Sequence, residues 1–347
     1  MSTIEDFLNQ PFFPTGTSGD GKISLPVATA INLHPYSKIP GIVDSRLKDL
    51  SYSSANTLHE CPKKFQLYRL KTHTTEDSVF QNISNSFGHS CGLAAQLIFQ
   101  EHPWTLQEIL WQQFLHWPKE LPIIEAEDVK ARKGFIYANL YAAKLWHARR
   151  NGLLCDWVID DYNGKPAVEL SFQILLPDGF RYRGSVDAVL RNRITGAIGV
   201  LEHKTTKYKV IDPAQYKNSA QAVGYSIVLD HLYPDVSSYE VLYLVYSSTE
   251  MEIVPLDFTK SLAQRAEWLQ DILFDIDNIR AYDESGVYPR RGESCFNFFR
   301  QCQYFQTCTM SVERLAKEYH PDMADTKVYD VTVTMEELIE TQLKRNT

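Results

Sequence analysis

Positive charge is in short supply. Thirty-five Lys and Arg stand against 43 Asp and Glu, a formal net charge of −8, which excludes a protein that coats nucleic acid by bulk electrostatics but leaves room for a local basic groove. Cysteine is scarce as well. Six in 347 residues are too few for a disulfide scaffold, and a reducing compartment would keep them as thiols. No run of about 18 apolar residues occurs. The N-terminal "MSTIEDFLNQPFFPTGTSGDG" has neither a basic start nor an apolar signal core, so neither a membrane span nor export is expected, and the expected location is the cytoplasm of a bacterium or a phage-infected host. The chain has no Gly-x-x-x-x-Gly-Lys-Ser/Thr loop, so any ATP hydrolysis would come from another chain. Internal repeats and low-complexity tracts are also missing.

What is present is ordinary globular composition, 44% hydrophobic and 22% charged, enough to bury a sizeable core. Residues 1–45 read as a partly irregular arm. Leu58, Cys61 and Phe65 recur at helical spacing over 53–70, with Pro62 at a kink or a helix start. Residues 85–101, 105–116 and 125–151 read as helices, the last with an apolar stripe of Ile136, Leu140, Ala143 and Trp146. The period then changes to two. "PAVELSFQILL", "FRYRGSVDAVLRN" and "GAIGVLEHK" predict three strands in an antiparallel meander. Asp212-Pro213 starts a helix running to about Leu232. Two more strands, a helix over about 259–282 and a cysteine-bearing loop follow.

Within the third strand, "VLEHKTT" interrupts an apolar run with charge. Alternation puts Glu202 and Lys204 on one face and His203 on the other. If Asp187 at the end of the second strand faces the same way, two carboxylates and an ammonium converge. Mg²⁺ is held by one or two carboxylates plus waters and phosphate oxygens, and a nearby lysine can position the attacking water. That is apparatus for cutting a phosphodiester. The competing reading is an ion pair on a solvent-facing edge.

"GSVDAVLRNRITGAIGVLEHKTTK" resembles the core of the PD-(D/E)XK nucleases, specifically the RecB-like branch, with Asp187 at the motif aspartate and Glu202-His203-Lys204 at the (D/E)-x-K element. "QAVGY" is similar to the Gln-x-x-x-Tyr motif of that branch, and helical spacing puts Gln221 and Tyr225 on one face. The resemblance implies a mixed α/β restriction-endonuclease-like core, a central mixed sheet flanked by helices. It implies Mg²⁺ or Mn²⁺ held by Asp187, Glu202 and the backbone carbonyl of His203, with Lys204, Gln221 and Tyr225 in the catalytic set.

The same resemblance, to the iron–sulfur members that include AddB-type and CRISPR-associated adaptation nucleases, implies a role for four cysteines. Cys61 lies before the core, and Cys295, Cys302 and Cys308 lie after it. Four thiolates suit a [4Fe–4S] cluster or a structural Zn²⁺, and either would staple the ends of the domain together. The first late spacing, six residues in place of two, departs from the common pattern. Cys91 and Cys155 read as buried thiols.

The branch usually carries a histidine metal ligand four residues after a glycine; here that place, after Gly88, is Gly92. His89 is a displaced candidate, or a packing residue, and Gln96 is a substitute. Glu169 is an extra carboxylate or a half-buried strand residue. Lys63, Lys64, Arg69 and Lys71, interleaved with Phe65 and Tyr68, line a strand path or make a solvated helix face. Together these imply an arm over 1–45, a nuclease domain over 46–310 with a helical insertion over about 85–151, and an extension over 311–347. The implied activity is a metal-dependent exonuclease on DNA single strands or ends, in recombination, repair or phage DNA processing. A recombinase, helicase or single-strand-binding protein would be its partner. The alternative is a nucleic-acid-binding subunit whose nuclease fold has degenerated.

Overall fold

The computed structural model describes residues 46–70, 83–100, 104–120, 129–236, 238–297, 300–306, 308 and 328–345. The arm expected over 1–45 lies outside them, as does Lys71. Strand β1 (Asp49–Leu50) leads into helix α1 (Tyr52–Glu60), opened by a capping box between Ser51 and Ser54. Cys61 is extended, and α2 (Pro62–Leu70) starts afresh at its proline, where the missing N–H would have been unpaired anyway. Helices α3 (Ile83–Phe99), α4 (Leu106–Glu120) and α5 (Val129–Arg150) follow.

The stripe expected on α5 is only partly its packing face: Trp146 packs against the apolar cluster, and the rest of the stripe does not. Ile136 and Leu140 are 57% and 41% exposed, and the buried face is Ala138, Tyr141, Ala142 and Leu145. Small side chains explain the rotation: alanines on α5 meet Cys91, Ala94 and Ala95 of α3 in one apolar cluster, where close backbone approach outweighs side-chain size. Cys91 is buried as expected, but Cys155 is exposed.

The sheet has eight strands among the described residues. After β2 (Trp157–Ile159), the predicted meander is β3 (Val168–Leu175), β4 (Arg181–Asn192) and β5 (Ile198–Thr206), paired antiparallel. Strand β6 (Ser238–Ser247) runs parallel to β5, and β7 (Glu252–Ser261) antiparallel to β6. The segment read as an extension beyond 310 supplies β8 (Val331–Thr334), parallel to β3 at the edge of the sheet, and α9 (Met335–Arg345). Strands β1 and β2 both pair with β4. No described helix is long and apolar enough to cross a membrane.

The single helix expected over 212–232 is two: α6 (Ala214–Lys217) and α7 (Ala220–Leu232). Asp212 caps the first turn, its Oδ1 accepting from the Ala214 N–H at 2.9 Å. Asn218 and Ser219 then break the helix, both residue types that compete with the ladder for backbone groups. Helix α8 (Leu262–Ser285) starts at a capping box between Ser261 and Gln264 and ends at Gly286 in the left-handed conformation. It packs on α7 so closely that a Cβ on Gly224 would come within 2.9 Å of Trp268.

One buried pair fixes α7 in place. Arg265 of α8 is fully buried, its Nε donating to Asp230 of α7 at 2.9 Å, with the guanidinium over the Tyr239 ring at 4.7 Å. Arg265→Ala leaves a buried carboxylate without this partner and should cost about 3–5 kcal/mol in urea unfolding. The paired change Asp230→Leu with Arg265→Met should recover most of that loss. A cost below about 1 kcal/mol for the single variant would show that Arg265 is not what holds Asp230.

Candidate active site

The sheet forks. Strands β4 and β5 pair only from Ala188 opposite Leu201 to Arg191 opposite Ile198. Beyond that, β4 continues along β3 while β5 continues along β6 to Thr206. Asp187 and Glu202 are the first residues past the parting. The Oδ2 of Asp187 accepts the His203 N–H at 3.2 Å, so a carboxylate takes a place in the ladder. A residue's N–H and C=O leave a strand on the same edge, which turns the His203 carbonyl toward the fork too.

The fork opens into a cavity of about 630 Å³ lined by residues of α3, β3, β4, β5 and α7, among them His89, Gln96, Glu169, Asp187, Glu202, Lys204 and Gln221. Glu202 is 1% exposed. Its Oε1 meets the Lys204 Nζ at 2.6 Å, while Oε2 is buried with no hydrogen-bond partner. Gln221 Oε1 accepts from Lys204 Nζ at 2.9 Å, and Gln221 Nε2 donates to the Tyr225 hydroxyl at 2.5 Å. Gln221 and Tyr225, one turn apart on α7, therefore fix the ammonium from the side opposite Glu202.

Electrostatics follow from burial. Desolvation, helped by the neighbouring Glu202 charge, pushes Asp187 up to about 8. Burial raises Glu202 as well, against the pull of Lys204. Burial pulls Lys204 down, but the Glu202 carboxylate outweighs it and the net shift is upward. The His203 ring lies on the opposite strand face from Glu202 and Lys204, edge-on to Tyr141 of α5 at 4.9 Å, and burial with the Lys204 charge lowers it to about 3. Its ring is neutral at physiological pH.

Gln96 of α3 donates from Nε2 to Glu169 Oε1 at 2.7 Å and to the Asp187 carbonyl at 3.2 Å. Glu169 Oε2 accepts from Ser185 Oγ at 3.2 Å. Glu169 has φ +47° inside a strand, a left-handed backbone that non-glycine residues adopt at a cost of roughly 1–2 kcal/mol. The kink aims its carboxylate at the cavity. His89 is exposed on the cavity wall. Sequence reading missed Ser185, which holds Glu169, and the wall residue His116 of α4; Ser185, two residues before Asp187 on β4, is the one its place in the motif strand could have flagged.

Mg²⁺ asks for one or two carboxylates and completes its shell with water and substrate oxygens. Asp187, Glu202 with its unpartnered oxygen, and the His203 carbonyl suit that demand. Among the described residues no group of three or more His, Cys, Asp or Glu is placed to hold a metal ion, so a site here would rest on two carboxylates and a backbone carbonyl.

The same finding bears on the cysteines. Burial pushes the Cys308 thiol up, Cys61 and Cys295 lie close enough to add to that, and the Cys302 N–H donates to the Cys295 carbonyl at 2.8 Å, so all four gather where the first helices meet the last loop. As placed, they do not form a [4Fe–4S] or Zn²⁺ ligand set. Hydrogen bonds tie the first helices to the last loop: Ser294 Oγ to the Glu60 carbonyl at 2.7 Å and Lys63 N–H to the Pro289 carbonyl at 3.0 Å. The strand path expected along α2 is also absent in that form. Lys63 is 2% exposed and bonded to Gln66, Phe65 is in the core, and Lys64 pairs with Glu60.

Residues 49–309 match the family model of the PD-(D/E)XK nuclease superfamily. Similar solved structures include a protein of Eubacterium rectale provisionally named an exonuclease. It is 13% identical, with 73% of this chain and 86% of that chain covered and a TM-score of 0.43. SSO0001 is 14% identical, with 63% and 86% covered and a TM-score of 0.23. No curated protein matches the sequence.

A carboxyl held up to about 8 against an ordinary 3.8 ties stability to pH. The unfolded carboxyl loses its proton near the lower value and the folded one near the higher, so folded protein binds the extra proton between them and loses stability as pH rises through that window. In chelator, the melting temperature of the parent should fall between about pH 4 and about pH 8 more steeply than that of Asp187→Asn. Parallel pH profiles for the two proteins would contradict the buried, protonated Asp187.

Proposed function

The chain belongs to the PD-(D/E)XK nuclease superfamily, and from that premise we propose that it is a divalent-metal-dependent deoxyribonuclease acting as an exonuclease on single strands or ends. The observation that carries this reading is the buried, unpartnered Oε2 of Glu202 beside Asp187. Burying a carboxylate oxygen without a donor is costly, and a cation at the fork would satisfy it. Asp187, Glu202 and the His203 carbonyl would hold Mg²⁺ or Mn²⁺. The ion would supply Lewis-acid stabilisation of charge on the phosphate and acidify water.

Lys204, braced by Glu202 and Gln221, directs its ammonium into the cavity, where it donates a hydrogen bond to the attacking water or the phosphate. Tyr225 holds Gln221, and so sets the lysine's angle from a second step away. Glu169, gripped by Gln96 and Ser185, accepts from a water at the cavity wall. The reading requires neither an iron–sulfur cluster nor zinc. A recombinase, helicase or single-strand-binding protein would deliver the strand in recombination, repair or phage DNA processing.

One observation favours a second reading, a nucleic-acid-binding subunit with little turnover: on the cavity wall Gly92 holds the place where the branch usually carries a histidine ligand, and the group that reaches Glu169 and the Asp187 carbonyl is an amide, Gln96. Digestion of end-labelled single- and double-stranded DNA with Mg²⁺ or Mn²⁺ decides between them. The parent should cut and stop cutting in chelator, and the product ladder gives the polarity. Lys204→Ala should slow cleavage by about 10²–10⁴-fold with an unchanged fold, and Asp187→Ala should abolish it. A parent that binds DNA without cutting it would establish the second reading.

A further inference from the structure

Strand β4 carries more than Asp187. Alternation places Arg181, Arg183 and Ser185 on one face, opposite the face where Tyr182 and Val186 enter the core, and the alternation breaks at Asp187, whose carboxylate turns to the His203 N–H. The Ser185 bond to Glu169 ties the near end of that row to the cavity. At about 3.4 Å per residue, Arg183 lies roughly 14 Å and Arg181 roughly 20 Å along the strand from Asp187.

At the far end one carboxylate orients three guanidinium groups. Asp49 of β1, in register with Arg181, meets Arg181 Nη2 at 2.7 Å, Arg183 Nη2 at 3.3 Å and Arg69 Nη2 at 3.4 Å. The Asp49 side chain is 10% exposed, against 33% for Arg181 and 29% for Arg183. The anion is therefore inside, Arg69 is largely buried with it, 15% exposed, and Arg181 and Arg183 reach the surface half-buried. Around them the face offers polar groups: Gln173, opposite Arg183, donates to Thr332 at 3.1 Å, and Arg183 Nη1 donates to the Tyr329 hydroxyl at 3.2 Å.

We propose that this row is a phosphate-binding track for the strand being cut, engaging the sugar–phosphate backbone of single-stranded DNA a few nucleotides from the scissile bond. The proposal rests on the nuclease reading. A chain of net charge −8 repels a polyanion at long range, so the strand needs a local basic surface in line with the site. Guanidinium forks match phosphate oxygens bidentately, and Asp49 presets their orientation, which lowers the ordering cost of binding.

The track is tested with Arg183→Gln, which leaves Asp49 its close Arg181 contact. Arg183→Lys, which keeps a cation but not the fork, is the second variant, and melting temperatures confirm folding of both. Binding of a labelled single-stranded dodecanucleotide is followed by fluorescence anisotropy in chelator, and KM is measured for dinucleotide and dodecanucleotide cleavage in Mg²⁺. For Arg183→Gln we expect affinity for the longer strand to fall about tenfold. The slope of log K against log salt should become shallower by about 0.7, the value for one phosphate contact on a single strand. The loss in KM should grow with substrate length, and Arg183→Lys should restore the salt slope. Unchanged affinity and slope in Arg183→Gln, or an equal loss on the dinucleotide, would overturn the track. Failure of the parent to cut would sink the nuclease reading instead, and the anisotropy of Arg183→Gln would still decide the track.

Discussion

Two strands that part in the middle of a sheet leave backbone groups without ladder partners, and buried backbone groups are almost never left unpaired. The parting of β4 and β5 is resolved by the Asp187 carboxylate, which takes the His203 N–H. The rest of the site depends on that substitution. It turns Asp187 inward beside Glu202, opens the gap that becomes the cavity, and leaves room for α3 to reach in with Gln96 and for α7 to reach in with Gln221. A sheet paired to its end would have hidden all of these groups.

Much of this was legible because it is local. Period-two apolarity located β3, β4 and β5, and the same alternation put Glu202 and Lys204 on one face. Helical spacing put Gln221 and Tyr225 together, and the structure links them by a hydrogen bond. Features set by tertiary packing were not legible. Ile136 and Leu140 have the right periodicity to be core, but the alanines beside them pack closer. Lys63 reads as a solvated cation and is buried. The pairing of β8 with β3 joins Val331 to Phe172, and no local pattern announces a parallel partner so far away in sequence. Glu169 sits in an ordinary alternating run that gives no hint of a left-handed backbone.

The acids of the cavity outnumber its ammonium. Asp187, Glu202 and Glu169 surround a single lysine among the charged lining groups, and burial raises Asp187 and Glu202. Several packing choices maintain this unfavourable state: the kink at Glu169, the Gln96 amide divided between Glu169 and Asp187, and the Arg265 anchor that keeps α7 and its Gln221 in place. Such concentration of cost at one point, with rigid supports around it, is characteristic of a surface prepared for a ligand of opposite charge.

Strand β8 also bears on how the protein is made. Among the described residues, the outer edge of β3 from Phe172 to Leu175 is covered by residues 331–334, so during synthesis that edge waits for a segment far along the chain to emerge from the ribosome. Until then it is an unpaired strand beside the core residues Phe172 and Ile174, a template for association with another nascent chain. Pairings between distant segments are also the slowest to form. Strand β8, translated long after β3, is therefore the one that ends this edge's exposure to aggregation.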